Sequence, residues 1–213
     1  MSGKKSLGPA YRIETERMVL RCWQPTDAPK LKKAVDRSKE HLLPWMPWAA
    51  HDPEPVENKV ALLRRFRGQF DLEQDFVYGI FSPDESEVWG GTGIHERIGP
   101  DACEIGYWID ITQVGKGLAT EVSCALTQVA FELHKFHRVE IRCEPSNHAS
   151  SAIPKKIGFR HEATLKERFH LGNGHYRDQM IWSMFFEDYP GSIPSKGKVR
   201  TFDAVGHLIK YTE

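Results

Sequence analysis

The segment EIGYWIDITQVGKGLATE, residues 104–121, joins a strand pattern to an amphipathic helix through a loop with two glycines. The helix pattern runs from Gly117 to about His134, with apolar side chains at a 3.6-residue period. Such a loop exposes backbone N–H groups at a helix N-terminus, where they and the helix dipole favour a phosphate. Glycine at 115 and 117 permits positive φ and close approach of a ligand to the backbone. The segment therefore predicts a phosphate- or pyrophosphate-binding loop, with an ordinary turn as the alternative.

Two other phosphate-binding motifs are excluded by spacing. The P-loop requires GxxxxGK[ST], which this chain lacks. The dinucleotide fingerprint GxGxxG would need a third glycine where Thr120 stands. The loop thus needs an explanation outside these two families.

Apolar periodicity predicts the other elements, working outward from this segment. Strands are predicted at residues 17–23, 76–81, 88–98, 103–109, 139–143, 159–166 and 176–186. Helices are predicted from a Thr26 cap to about Ser38, over 56–70 and over 146–157, with a proline-rich loop at 41–55. A run of strands followed by alternating strands and helices predicts an α/β (α+β) fold, with a mixed central sheet flanked by helices.

Length and composition limit the classes of protein to which the chain could belong. The chain of 213 residues suits one core, and 29 basic against 29 acidic side chains give no reason to expect a nucleic-acid or membrane partner. The N-terminal stretch does not resemble a signal peptide, and no apolar run is long enough to predict a membrane span. The sequence contains no HExxH motif or Cys/His cluster that would predict a metal site. Four cysteines without a CxxC pair predict reduced core thiols in a cytoplasmic protein, with a catalytic thiol as the alternative.

The chain divides into three parts by composition. Residues 1–10 are expected to be a disordered lead, and residues 11–189 the main domain. Within the extension 190–213, residues 198–211 predict a hairpin turning near Gly206, which could add to a sheet or to a second subunit. A loose extension is the alternative, and a monomer and a homodimer both stay open.

Several short segments, which occur in the same order along the chain as in a known family, give the chain a family resemblance. The loop register Val114-Gly115-Lys116-Gly117-Leu118-Ala119 places Gly117 and Ala119 on the glycine and small-residue positions of GNAT motif A, although Val114 replaces the usual Gln or Arg. The other segments are Thr15-Glu16-Arg17 with Leu20-Arg21, LPWMPW at 43–48, EIGYWI at 104–109, ATE at 119–121, and Asn147-x-x-Ser150 before IGF at 157–159. Together they resemble the RimJ/RimL branch of the GNAT N-acetyltransferases over residues 11–189.

The resemblance implies a GNAT fold and acetyl-CoA as cosubstrate. Pantetheine would lie between the strands at 103–110 and 139–143, and Ser150 would protonate the leaving thiolate. The implied CoA-binding residues are Trp108, Ile109, Val114, Gly115, Lys116, Gly117, Leu118, Ala119, Thr120 and Asn147. Ser150 and Asn147 also suit a helix cap, which is compatible with these roles.

Two carboxylates are candidates for the general base. Glu104 is the first candidate, because GNAT enzymes often place a glutamate on this strand; a surface or positioning carboxylate is the alternative. Glu167 is the second, although the register places Phe169 nearer the family position. Trp45, Trp48 and Tyr107 are predicted to contact the acceptor, with burial as the alternative for the tryptophans.

The expected reaction is direct acetyl transfer to a primary amine, without a covalent enzyme intermediate. The resemblance implies the N-terminal α-amine of a protein, notably a ribosomal protein. A small-molecule amine acceptor and an inactive CoA-binding module are the alternatives.

Overall fold

The computed structural model describes residues 9–172 and 175–211. Most of the predicted disordered lead, residues 1–8, lies outside the described residues. Its end does not fit the prediction, because Ala10 is buried in the core. The backbone N–H of Tyr11 donates to Phe202 O at 2.9 Å and its carbonyl accepts from Cys22 N, so the neighbouring strands hold this segment in place.

The described strands form a ten-stranded sheet in the order β10-β9-β1-β2-β3-β4-β5-β6-β8-β7. β5 and β6 run parallel and the other described neighbours run antiparallel, so the predicted mixed sheet is confirmed. The strands are β1 Arg12–Glu14, β2 Val19–Cys22, β3 Phe76–Phe81, β4 Val88–His95, β5 Ala102–Ile109, β6 Arg138–Cys143, β7 Arg160–Gly172, β8 His175–Phe185, β9 Arg200–Phe202 and β10 Leu208–Tyr211.

Helices cover both faces of the sheet. They are α1 Ala28–Leu42, α2 Val56–Asp71, α3 Leu118–Val129 and α4 His148–Ile157, and a π turn, Ala130–His134, continues α3. Leu31 of α1 and Leu63 of α2 share an apolar cluster with Trp23, whereas Leu126 of α3 and Ile157 of α4 belong to the larger cluster on the other face. These two apolar layers are the core that the helical periodicities predicted.

The start of α1 differs from the prediction. Pro25–Asp27 forms a 3₁₀ turn, so α1 starts at Ala28 with Asp27 rather than Thr26 at the N-cap position, and α1 ends at Leu42. The Asp27 carboxylate accepts from Arg21 Nη1 and Nη2 at 2.8 and 2.9 Å and from Gln24 N at 2.9 Å. The turn is therefore tied to β2 by an ion pair that periodicity alone could not reveal.

Two further short elements were not predicted. β1 has three residues, too few for an alternation to be recognised, and it is paired on both sides by β2 and β9. The proline-rich segment 41–55 contains a 3₁₀ turn at Pro47–His51. This turn holds Trp48 beside the site described below.

The C-terminal segment forms β9 and β10, an antiparallel hairpin. Gly206 has φ of 83°, and the Asp203 carboxylate accepts from Val205 N and His207 N in the turn. β9 pairs with β1, with Thr201 opposite Ile13, and Val199 is buried. The hairpin thus extends the chain's own sheet and is not loose.

The cysteines are free thiols, and three of them are buried. Burial raises the pKa of Cys22 to about 12 and those of Cys124 and Cys143 to about 11. Burial also raises the pKa of Cys103. Because a thiolate is the reactive form, these protonated thiols do not support the catalytic-thiol alternative. Among the described residues, no helix is both long and apolar enough to cross a membrane.

Candidate active site

The central feature is a gap between β5 and β6. Their parallel pairing runs from Ala102 opposite Arg138 to Ile105 opposite Ile141 and ends there. On its other edge, β5 stays paired with β4 as far as Ile109 opposite Gly90. Residues 106–109 therefore have one paired edge and one open edge.

The open edge carries unused main-chain groups. Asp110 N donates to Trp89 O at 2.8 Å, so this N–H points toward β4. Because successive N–H groups of a strand point to opposite edges, those of Ile109 and Tyr107 point into the gap. An extended ligand carrying amides could pair with them as a further strand would.

The loop after β5 is fixed by Asp110, which is fully buried. Its carboxylate accepts from Thr112 N at 2.9 Å, from Thr112 Oγ1 at 2.7 Å and from Arg37 Nε at 2.5 Å. Ile111 N donates to Ser38 Oγ at 3.0 Å. Two side chains of α1, those of Arg37 and Ser38, thus hold the start of the loop.

The glycines of the loop turn the chain into α3. Gly115 and Gly117 have φ of 76° and 78°, in the left-handed region, and Gly117 is the N-cap of α3 without a side-chain cap. A Cβ at Gly115 would meet nothing within 4 Å, so backbone conformation rather than crowding requires glycine there. The first N–H groups of α3, at Leu118, Ala119 and Thr120, have no intrahelical acceptor, and they suit an anion.

An ion pair braces this loop against the N-terminal strands. Arg17 Nε donates to Glu121 Oε2 at 2.6 Å, and Arg17 Nη1 donates to Lys116 O at 2.8 Å. Thr15 Oγ1 donates to Glu121 Oε1 at 2.6 Å. The Thr15-Glu16-Arg17 and Ala119-Thr120-Glu121 segments of the resemblance therefore contact each other. Val114 is exposed, and Lys116 Nζ donates to Gln113 Oε1.

A cavity of about 900 Å³ lies beside the open end of β5. It reaches from the loop before α2, across β4, β5 and β6, to β7 and β8. The predicted residues that line it are Trp45, Trp48, Glu104, Tyr107, Trp108, Asn147 and Ser150. The structure therefore brings the predicted catalytic and acceptor-contacting residues together with two predicted CoA-binding residues, Trp108 and Asn147.

The two faces of β5 present different chemistry. Alternation places Glu104, Gly106 and Trp108 on the face covered by α1 and α2, and Tyr107 on the face covered by α3 and α4. The Trp108 ring lies over Gly91, where a Cβ would come within 2.5 Å of Nε1. Trp48 packs edge-to-face on Trp108 with 5.9 Å between ring centroids and is 39% exposed. Burial thus does not explain Trp48, which forms an accessible aromatic wall.

On the other face, Tyr107 and Ser150 share a hydrogen bond. Tyr107 Oη lies 3.1 Å from Ser150 Oγ, and Ser150 N donates to Asn147 Oδ1 at 3.1 Å, the helix cap expected from the sequence. Burial raises the pKa of Tyr107 above its ordinary value, and the hydrogen bond to Ser150 opposes that shift. The phenol is therefore protonated at neutral pH and can act as a proton donor.

The carboxylates predicted as bases are placed differently. Glu104 lines the cavity, but its oxygens accept from Arg97 Nη2 at 2.9 Å and Arg97 Nε at 3.1 Å. Glu167 is exposed and is not among the residues that line the cavity, so a catalytic role for it does not fit. Phe169, the residue that the register places nearer the family position, lines the cavity.

Sequence reasoning missed an imidazole in this cavity. His95 ends β4, and its Nδ1 lies 2.6 Å from Asp75 Oδ1. The signal was present in GGTGIH, residues 90–95, because alternation places His95 on the same face as Gly91 and Gly93. What the sequence could not show was that this face is open.

A mixed sheet with a separated parallel pair, next to a glycine loop at a helix N-terminus, defines the class of acyl-CoA N-acyltransferases. The chain belongs to the GNAT family of acetyltransferases, whose Acetyltransferase (GNAT) domain matches residues 17–160. The protein is an acetyl-CoA-dependent N-acetyltransferase, and the predicted fold, activity and cosubstrate are confirmed.

Individual relatives agree with this assignment. The chain is 27% identical over 197 residues to the ribosomal protein uS5-alanine N-acetyltransferase of Escherichia coli (strain K12), covering 90% of this chain and 100% of that protein. The structure resembles Mycobacterium smegmatis RimJ in complex with CoA-disulfide, with TM-score 0.76, 23% identity and coverage of 86% and 91%. It also resembles RimL, a ribosomal L7/L12 α-N-protein acetyltransferase, in complex with coenzyme A, with TM-score 0.73, 23% identity and coverage of 82% and 97%. The expected resemblance to the RimJ/RimL branch is thereby confirmed.

Proposed function

We propose that this enzyme acetylates the N-terminal α-amine of a protein, of the ribosomal-protein class. The observation that carries the proposal is the cavity of about 900 Å³, because it lies beside the open edge of β5 and has an accessible wall at Trp48. An exposed aromatic residue on a loop gives a peptide contact area at low entropic cost. The relative that acts on ribosomal protein uS5 aligns with 90% of this chain and supports the same acceptor class.

The cosubstrate would enter from the α3 and α4 side. The pantetheine arm would pair with the main chain at Trp108 and Ile109, whose open edge is free of β6. The diphosphate would sit on the loop from Val114 to Thr120, where the positive φ of Gly117 turns the amides outward. Asn147, which caps α4 beside the gap, would contact the CoA arm.

Two groups of the protein then support the transfer step. The N–H of Ile109 points into the gap and would stabilise the negative charge that develops on the thioester oxygen. The Tyr107 phenol, in contact with Ser150 Oγ, would protonate the departing thiolate. Ser150 therefore acts with Tyr107, a residue predicted from the sequence only as an acceptor contact.

The α-amine suits this site for a chemical reason. An α-amino group has an ordinary pKa near 8 and a lysine side chain one near 10.4, so more of the α-amine is already neutral at pH 7. One proton acceptor in the cavity is then sufficient. The resemblance implies Glu104 as this proton acceptor. Glu104 is, however, paired with Arg97, which makes it less suited to accept a proton.

Acetyl transfer should be measured with acetyl-CoA and three sets of acceptors. The first contains hexapeptides with N-terminal alanine or serine, the second the same peptides with a blocked α-amine and one lysine, and the third small amines such as spermidine. We expect activity on the first set, with mass spectrometry locating the acetyl group on the N-terminal residue. Activity confined to the third set would show a small-molecule enzyme. CoA binding without any product would show an inactive module.

A further inference from the structure

We propose that His95, oriented by Asp75, is the general base that deprotonates the acceptor amine. This assignment rests on the proposed function and adds the residue that accepts the proton. It replaces Glu104 in that role. The inference comes from the position of the imidazole, the groups that hold it and the contacts of the competing carboxylate.

The Asp75 carboxylate fixes one ring nitrogen. β3 and β4 pair with Phe76 opposite Ile94, so Asp75 and His95 are neighbours across the strand ends. Nδ1 of His95 lies 2.6 Å from Asp75 Oδ1. When Nδ1 carries the proton and donates to the carboxylate, Nε2 is the unprotonated nitrogen and can accept a proton.

Two glycines, Gly93 and Gly106, leave the space that the His95 ring occupies. A Cβ at Gly93 would lie 2.6 Å from His95 Nε2, so a side chain at that position would displace the imidazole. A Cβ at Gly106 would lie 3.7 Å from Nε2, an ordinary contact distance. The free nitrogen therefore lies beside Gly106, the first residue of β5 beyond the pairing with β6.

The free nitrogen is available to a substrate. Within residues 9–172 and 175–211, Nε2 has no hydrogen-bond partner, and the side chain is 17% exposed into the cavity. The cavity around it also holds charged groups from each neighbouring element. The acidic and basic side chains are Asp75 and Arg97 at the strand ends, Glu104 on β5, Arg142 and Glu144 at the end of β6, His51, Asp52 and Glu54 before α2, Lys59 and Arg65 on α2, and Asp178 on β8.

Glu104 is less suited to accept the proton. Both of its oxygens accept N–H groups of the Arg97 guanidinium, whereas Nε2 of His95 has no such partner among the described residues. A carboxylate held by two charge-assisted hydrogen bonds would have to give one up in order to bind a proton. Glu104 stands opposite His95 in the β4–β5 register, so the Arg97–Glu104 pair flanks the base.

The proton and electron balance is complete with these residues. His95 Nε2 takes one proton from the acceptor ammonium, directly or through one water, and the neutral nitrogen attacks the thioester carbonyl carbon. The C–N bond forms and the C–S bond breaks, and the Tyr107 phenol gives its proton to sulfur. The second proton of the nitrogen returns to Tyr107 through solvent, and Nε2 releases its proton to solvent. The products are the amide, the CoA thiol and one proton.

The test is chemical rescue of His95→Ala. The substitution removes the ring and leaves its slot over Gly93 and Gly106 open to free imidazole. We expect kcat/KM for the N-terminal alanine hexapeptide to fall about 100-fold, within the range of a lost general base. Adding imidazole should restore activity at least about tenfold, because the free base supplies the missing proton acceptor.

Three controls separate the explanations. The Kd for CoA, from calorimetry, should equal that of the wild type, which shows that the variant is folded. His137→Ala, at a 59% exposed side chain outside the cavity, should keep full activity with and without imidazole. Glu104→Gln should lose less activity than His95→Ala and should not respond to imidazole.

The outcomes distinguish the two proposals. An active wild type with an equally active His95→Ala variant would overturn the assignment, as would a larger loss in Glu104→Gln than in His95→Ala. Absence of imidazole rescue in a folded, CoA-binding His95→Ala variant would also count against it. A wild type that acetylates none of the acceptors would overturn the proposed function and, with it, this assignment.

Discussion

Tyr107 Oη and Ser150 Oγ lie 3.1 Å apart, on elements that flank the gap between β5 and β6. Tyr107 comes from the part of β5 beyond the pairing with β6, and Ser150 comes from the first turn of α4, which follows β6. The contact therefore joins the two sides of the opening. It places a proton donor beside the predicted path of the thioester, on the opposite face of the sheet from His95.

The first prediction concerns this hydroxyl pair. Tyr107→Phe should lower kcat about 10- to 100-fold while leaving the Kd for CoA unchanged, because it removes the proton donor and keeps the ring. Ser150→Ala should have a smaller effect, because the phenol remains. Since burial raises the pKa of Tyr107, the acid stays protonated and wild-type kcat should show no loss from its ionisation up to pH 10.

The matched control is Ser151→Ala. Ser151 is the next residue of α4, and its Oγ donates to His148 O at 3.3 Å within the helix. This variant should retain wild-type kcat. Steady-state kinetics with isothermal calorimetry would measure both quantities, and a Tyr107→Phe enzyme with unchanged kcat would show that another group protonates the thiolate.

The second prediction compares two glycines with open surroundings. Gly117 has φ of 78° and nothing closer to a new Cβ than Arg17 Nη2 at 3.7 Å, whereas Gly68 lies within α2 with nothing within 4 Å. Gly117→Ala should destabilise the fold by about 1–2 kcal/mol through backbone strain and should weaken CoA binding. Gly68→Ala should stabilise it by about 0.5–1 kcal/mol and should not change CoA affinity.

Chemical denaturation and calorimetry on both variants check this comparison. The two substitutions add the same methyl group, so a difference in sign isolates the effect of positive φ. Equal stability changes at the two positions would mean that the conformation of the loop is not constrained as described.

The third prediction concerns a buried histidine, His134, that does not line the cavity. His134 packs against Phe76 and Phe136, with ring centroids 4.5 and 5.5 Å away, and burial lowers its pKa from 6.5 to about 4. Because the unfolded state binds this proton at a higher pH, stability is present above about pH 6.5 and is lost as the pH falls toward 4. The wild type should lose about 1–2 kcal/mol of unfolding free energy between pH 7 and pH 5 from this group.

His134→Phe provides the reference, because a phenyl ring fills similar space without titrating. Urea unfolding at pH 7 and pH 5 should show a smaller loss in the variant than in the wild type. Equal losses in both proteins would indicate that His134 does not carry the pH dependence.

Much of the fold could be predicted because its signals are local. Alternation located β3 and β5, and the 3.6-residue period located α2 and α3. The three residues of β1 could not be recognised, since pairing with β2 and β9 rather than local sequence defines that strand. The helix start at Ala28 was missed because the Arg21–Asp27 ion pair is a tertiary contact.

Part of the site could also be predicted, because some of its signals are local in the sequence. The glycine loop is contiguous in sequence, so its composition and position could be read directly. The Tyr107–Ser150 hydrogen bond joins residues 43 positions apart, and nothing local indicates it. The Arg97–Glu104 pair and the Asp75–His95 contact likewise depend on strand register, which is known only after the sheet has formed.

The most direct test of the central claim compares CoA with pantetheine, which lacks the diphosphate and the adenosine 3′-phosphate attached to it, by isothermal calorimetry on the wild-type enzyme. The main-chain amides of residues 114–120 are expected to bind the diphosphate, and charge-assisted hydrogen bonds contribute about 1.5–3 kcal/mol each. CoA should therefore bind at least about 100-fold more tightly than pantetheine. Equal affinities for the two ligands would contradict the account.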